Sequence, residues 1–471
     1  MKSKDKRQEP GTRLSFVVFG VAIVILLCSI ILLKYDIHIS LLLALGWVCL
    51  ASGSLGYSFE DLVVCMKKSL GQSFSAMVIF IFIGIIIASW IFSGTVPALI
   101  YYGLHYITPQ FFLPVGLLLC SLVSISIGTS WGTMGTIGLA MMGIGTGMGI
   151  PPALTAGMVI SGAYFGDKMS PMSDTTNLAP AAAGTTLQKH ISAMWMTTIP
   201  SYAVTLVIFT LIGLQYRAQV VDDSSITLIS NALAERFTIH PIVLLPMVVL
   251  FALNVANFPA IPGMAIGSIL GVIIACTMQK TPLAEVITGL NYGYANPTGV
   301  ELVDALLLRG GIQSMMYTFS LACIAISFGG IMEQVGYLQR IILVVVSRVK
   351  HDWVMVPLVI ISTTLATLTM SEVYLSIVLT GNLYRRNFEE RGLKPEFLSR
   401  LIEEGGTLTQ VFVPWSTGSV FITATLGVTT AEYWKYALLN YINPVLSIVL
   451  AMFGIFILRE GGHKKQEKAV H

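Results

Sequence analysis

Ser161–Asn177 reads SGAYFGDKMSPMSDTTN and sits between two apolar runs, Pro151–Phe165 and Leu178–Leu187. Within it stand Asp167, Lys168 and Asp174, the hydroxyls of Ser173, Thr175 and Thr176, the amide of Asn177, and Pro171. A helix does not run normally through a proline, which lacks an N–H and clashes with the preceding turn. The flanking runs place these groups at or near membrane depth. Irregular backbone at that depth survives only where it is buried in protein or lines a wet cavity. Ionisable groups there are costly and mark a functional pathway by default. The competing reading is a short cytoplasmic loop that holds two aspartates.

Composition supports the membrane reading. The 471 residues are 55% hydrophobic and 11% charged, with a mean hydropathy of +0.80, whereas soluble domains carry about 25% charged residues. Runs such as Leu14–Leu33 and Gln72–Ser93 are long enough to cross a core roughly 30 Å thick as helices. The net charge of +3 is small and the basic residues gather at the ends, so nucleic acid is not an expected partner. The six cysteines have no CxxC spacing and read as small buried hydrophobes, not as a disulfide or metal framework. Residues 1–13 are basic, with Lys2, Lys4, Lys6, Arg7 and Arg13. The apolar run that follows is too long for a signal peptide. The positive-inside rule puts this end, and the basic tail 459–471, in the cytoplasm.

The first half, 14–214, reads as spans Leu14–Leu33, Ile39–Gly56 and Gln72–Ser93, then a re-entrant hairpin over Phe111–Met148 broken at SISIGTSWGTMGTIG. The broken span with the opening stretch and a last span, Ser192–Leu214, complete it. Lys67 and Lys68 mark an inside loop, and the polar linker 215–240, with Arg217, Asp222, Asp223, Glu235 and Arg236, suits the outside. The second half, 241–458, repeats the first: Pro114 and Pro357, Pro171 and Pro414, and Ser173 and Ser416 all stand 243 positions apart. Repeats are sought before any fold is assigned. Arg348 and Lys350 precede the second hairpin, and Arg385, Arg386, Arg391 and Lys394 follow it, so its ends are cytoplasmic where those of the first are external. The expected fold is an all-α polytopic membrane protein of two inverted repeats. About ten transmembrane helices, two re-entrant hairpins and two broken helices describe a secondary transporter.

Four polar clusters can meet at its centre: Gly128–Thr133, Gly166–Asn177, Thr369–Tyr374 and Thr407–Ser419. A sodium ion wants an oxygen cage, which hydroxyls, half-helix carbonyls and a carboxylate supply. The candidate ligands are Thr129, Ser130, Thr133, Asp167, Ser173, Asp174, Thr175, Thr176 and Asn177 in the first half. Ser371, Glu372, Thr409, Ser416 and Thr417 are their counterparts in the second. Asp167 ends an apolar run and is expected to carry the proton; Asp174, among Ser173 and Thr175, is expected to hold Na+. Glu372 reads as the only other carboxylate so deep. For any single hydroxyl the alternative is a bond back to its own helix.

GTSWGTMGTIG at 128–138, GAYFGDKMSPMSDTTN at 162–177, EEGGTLTQVFVPWSTGSVF at 403–421 and LGVTTAEYWKYA at 426–437 resemble the NhaC-type sodium/proton antiporter family. The resemblance covers nearly the whole chain. It implies a multi-pass exchanger of the cell membrane, driven by ion gradients and needing no cofactor beyond Na+ and H+. Some members resemble sodium-lactate/malate-proton exchangers, so malate or lactate is an alternative partner, and a homodimer is compatible with it. The family's usual wording at the break is closer to FGDH-SP-SDT. Here Lys168 follows Asp167, and a cation there would pair with Asp167 or Asp174.

An enzyme is the competing class. An aspartyl intramembrane protease would want GxGD, but position 164 is tyrosine, and neither HExxH nor GxxxxGK[ST] occurs. Trp131 and Trp415, each beside a break, read as packing residues. Arg309 reads as an interfacial loop residue.

Overall fold

The computed structural model describes residues 7–217, 223–256, 258–346 and 351–460. Lys2, Lys4, Lys6, Asp222, Arg348, Lys350 and the tail beyond Glu460, all used above to assign sidedness, lie outside the described residues. Among those described, the elements are helices, with one isolated bridge between Leu393 and Arg459. Among the described residues six helices are long and apolar enough to cross a bilayer, and up to nine spans result if each of three pairs bent at a short break counts as one.

The polarity of this bundle is inverted relative to a soluble protein. Large apolar side chains stand outward along the long helices, among them Leu118, Leu122, Val207, Leu211, Ile269 and Ile273. Lys168, Glu372, Arg400, Glu403 and Glu404 are buried within. Such a surface is stable against lipid, and charges inside it must pair or line a pathway. The protein is an all-α, multi-pass membrane protein.

The elements that build the centre are α1 (Phe74–Phe92), α2 (Pro109–Ile127), α3 (Pro152–Met169), α4 (Asp174–Ala183), α5 (Leu187–Leu214), α6 (Ala260–Thr277), α7 (Asp352–Met370), α8 (Val373–Glu390), α9 (Pro395–Gly406), α10 (Thr417–Leu426) and α11 (Leu438–Met452). Helix ends recur at the 243-residue offset read from the prolines. Both ends of α2 match those of α7, both ends of α4 match those of α10, and α3 and α9 each begin on a proline. Gly128 and Ser371, which stop α2 and α7, both take the left-handed conformation, at φ 76° and 60°. Gly184 and Gly427 stop α4 and α10 in the same way.

Two features differ from the sequence expectation. The first arm of each hairpin, α2 or α7, is 19 residues long, roughly 28 Å at 1.5 Å per residue, so these arms exceed short re-entrant helices. Phe59–Gln72, which carries Lys67 and Lys68, is a helix where a loop is expected. Ser58 and Asp61 form a capping box at its start, and Leu62, Cys65 and Ser69 turn one face inward. That spacing is helical, and the polar remainder of the segment disguises it.

The tightest packing in the centre joins α2 to α3. Gly162 and Gly166 lie one turn apart on α3. A Cβ at Gly166 would stand 2.5 Å from the Ser121 carbonyl oxygen, and one at Gly162 would stand 2.7 Å from that of Leu117. Small residues at this spacing let two membrane helices approach backbone to backbone. Ser124 uses the proximity to donate to the Ala163 carbonyl at 2.5 Å, and Ser170 donates to Ile125 at 2.7 Å. Gly166→Ala is therefore expected to cost about 1–3 kcal/mol through overpacking. Gly20→Ala, where a Cβ meets nothing within 4 Å, serves as the neutral control in thermal melts of the detergent-solubilised protein.

Candidate functional site

The break between α3 and α4 follows from its local sequence. Ser170 precedes Pro171, which biases it away from the helical region, and it is extended at φ −84°, ψ 128°. The chain re-enters a helix at Asp174, where the Ser173 hydroxyl accepts from the Thr176 N–H at 3.4 Å. The Asn177 amide closes the turn by donating to the Pro171 and Ser173 carbonyls, each at 2.8 Å. The second break is built alike. Ser416 caps α10 by accepting from the Ser419 N–H at 3.1 Å, and the Ser416 and Ser419 hydroxyls donate to the Gln410 carbonyl at 2.7 and 2.9 Å.

Between the breaks lies a cavity of about 300 Å³, and the residues that decide its chemistry are Ser130, Asp167, Asp174, Thr175, Tyr374 and Gln410. Its described lining contains two carboxylates and no basic side chain. Ser130 donates to Asp167 Oδ2 at 2.9 Å, and the Thr176 hydroxyl donates to the Asp167 carbonyl at 3.1 Å. Asp167 is 6% exposed, whereas Asp174, the first residue of α4, is the more exposed of the two. The positive end of the α4 dipole lies at Asp174.

The cavity thus brings together Thr129, Ser130, Asp167, Ser173, Asp174 and Thr175. Thr133, Thr176, Asn177, Ser371, Glu372, Thr409, Ser416 and Thr417 stand outside its lining. Several of these spend their hydroxyls locally: Thr133 donates to the Thr129 carbonyl at 2.9 Å, and Thr409 to that of Gly405 at 2.5 Å. Trp131 stacks on Phe421 with 4.7 Å between ring centroids. The Trp415 indole donates to the Leu368 carbonyl at 2.7 Å. Arg309, expected in an interfacial loop, is half-buried with a guanidinium nitrogen against Gly427. The six cysteines are free thiols, two of them buried and four half-buried.

Lys168 is the main correction. Its ammonium pairs with neither Asp167 nor Asp174: it bonds Glu403 Oε1 and donates to the Thr175 hydroxyl at 3.1 Å. Both side chains of the Lys168–Glu403 pair are fully buried, so α3 and α9 are tied by an ion pair. Glu372 is also not the only other deep carboxylate. Beside Glu403, Glu404 is fully buried, accepts from the Thr197 hydroxyl at 2.6 Å and lies 3.6 Å from Arg400 Nε. The signal for both was the repeat itself, which sets Glu403 and Glu404 opposite Ile160 and Ser161, in the middle of an apolar run.

Both breaks and the segments that carry these groups fall within residues 162–455, which match the sequence model of the Na+/H+ antiporter family. The chain belongs to the Na+/H+ antiporter family. It is 35% identical over 447 residues to the Na+/H+ antiporter NhaC of Alkalihalophilus pseudofirmus, covering 95% of this chain and 96% of that one. It is also 35% identical to the malate-2H+/Na+-lactate antiporter of Bacillus subtilis, over 94% of each chain. A third relative, the arginine/ornithine antiporter ArcD of Halobacterium salinarum, is 31% identical over 96% of this chain and 93% of its own. Membership of the Na+/H+ antiporter family places the chain among transporters and not enzymes.

Proposed function

We propose that this protein is a secondary transporter that exchanges Na+ for H+ across the cell membrane by alternating access. The observation that carries this reading is the cavity between the breaks, with Asp167 and Asp174 in its wall and no basic residue in its described lining. A carboxylate that can hold either a proton or a cation supplies exchange without further machinery. Asp167, hydrogen-bonded and nearly enclosed, is assigned the proton. Asp174, with Ser173 and Thr175 beside it, is assigned Na+. The ions are the only cofactors in this scheme. Proteoliposome measurements test it: Na+ uptake is expected to follow an imposed proton gradient, without nucleotide. Na+ flux with no opposing proton movement overturns plain antiport.

A second reading, Na+-lactate/malate-H+ exchange, is supported by the equally similar relative from Bacillus subtilis. The cavity volume of about 300 Å³ falls at the lower end of small-molecule sites. Against it, an organic anion entering beside two carboxylates meets no cation among the described lining residues. Restoration of coupling by added malate or lactate in the same liposomes selects this reading.

The proposed arrangement has cytoplasmic termini, an external linker at 215–240 and two inverted repeats bounded by 14–214 and 241–458. Supporting it are the basic residues in the last turns of α8 and just beyond it and the helix ends that recur in the two halves. Cysteines introduced at Glu235 and Arg386 in a cysteine-free protein are expected to react with impermeant reagent from opposite sides. Labelling of both from one side removes the inverted arrangement.

A further inference from the structure

At the second break, five buried side-chain oxygens remain without a hydrogen-bond partner among the described residues: Ser371 Oγ, Glu372 Oε2, Thr407 Oγ1, Gln410 Oε1 and Thr417 Oγ1. None of the five residues is more than 2% exposed. They come from the ends of α7 and α9, the start of α8, the connector after α9 and the start of α10. The backbone brings these points together. The Thr417 N–H donates to the Ser371 carbonyl at 2.9 Å. The Thr417 hydroxyl faces the Glu372 carboxyl, whose other oxygen, Oε1, accepts from the Tyr374 N–H at 3.5 Å. Gln410 Oε1 lies against Gly418, in the first turn of α10, 2.4 Å from where a Cβ would stand.

A buried polar group without a partner is expensive, and a buried carboxylate more so. Here one carboxylate oxygen and four neutral oxygens are left over around the second break. That donor set suits a hard cation bound through oxygen, and a single negative charge matches a monovalent ion. We propose that Glu372, with Ser371, Thr407, Gln410 and Thr417, forms a second Na+ site, separate from the one assigned to Asp174. Val373, Tyr374, Thr407 and Gln410 also line the cavity, so an ion in the cavity reaches this site past Thr407 and Gln410. The cation neutralises Glu372 and joins α8 to the connector that carries the second break.

The test is equilibrium binding of radioactive Na+ to the purified full-length protein, with potassium as the balancing salt. The wild-type chain is expected to bind two Na+ ions. Glu372→Gln, close in shape to the native side chain, is expected to bind one, and Asp174→Asn is expected to bind the other. Thr417→Val, which removes one neutral ligand, is expected to weaken one of the two ions by about fivefold to tenfold. One Na+ per wild-type chain, lost in Asp174→Asn and unchanged in Glu372→Gln and Thr417→Val, overturns the second site and leaves the exchange reading intact. No Na+ bound by the wild type overturns both. The wild-type count does not depend on whether any variant folds.

Discussion

Glu403→Gln is expected to destabilise the protein by about 3–5 kcal/mol, because removing one member of a buried ion pair leaves the other charge uncompensated. Lys168 and Glu403 are both fully buried, and among the described residues the Lys168 ammonium otherwise donates only to a neutral hydroxyl, that of Thr175. Solvent has no access to repair the loss. Replacing both residues removes both charges, so Lys168→Met combined with Glu403→Gln is expected to recover most of the lost stability. Thermal melting of the single and double variants in one detergent checks this. A single variant as stable as wild type, or a double variant worse than either single one, refutes the account. Lys168→Met alone also leaves the Thr175 hydroxyl in the cavity wall with Ser173 as its remaining partner, at 3.2 Å, so Na+ affinity is worth measuring in each stable variant.

Asp167→Asn is expected to abolish proton-coupled Na+ exchange while leaving Na+ binding measurable. The change removes the titrating group with little change in volume. The Ser130 hydroxyl that donates to Asp167 Oδ2 at 2.9 Å keeps an acceptor if the new amide turns its oxygen the same way, so the local fold is preserved. Asp174→Asn is expected to weaken the cavity Na+ by about tenfold to a hundredfold, the range for losing a charged partner. Calorimetric titration of both purified variants with Na+, alongside exchange in liposomes, reads the two effects separately. The two aspartates share one cavity, so they titrate as a pair whose apparent values belong to both. Cavity binding retained in Asp174→Asn together with binding lost in Asp167→Asn reverses the roles.

The helix breaks were legible because their causes are local. Pro171 holds Ser170 extended just past the end of α3, and Ser173 and Ser416 restart helices through their own hydroxyls; α9 ends at Gly406, before Pro414 is reached. The repeat was legible because three residue pairs share one offset, and helix ends follow that offset. The Phe59–Gln72 helix is not legible in the sequence because only Leu62, Cys65 and Ser69 turn inward, set among polar and charged neighbours. The depth of Glu403 and Glu404, both fully buried, is not legible in the sequence. They stand near the end of α9, and depth at a helix end depends on what packs over it.

By itself, then, the sequence determined the class of molecule, the two interrupted helices and the residue types gathered at them. Each of these follows from hydropathy, from proline geometry or from capping within a few positions along the chain. Tertiary structure alone decided which charges neutralise one another and which face the cavity. Lys168 stands next to Asp167 in sequence, yet its ammonium reaches Glu403, 235 positions away. Asp167 is left to Ser130, from the neighbouring helix break. In a low-dielectric interior the pairing of charges is set by distance across packed helices, and adjacency along the chain does not specify that distance.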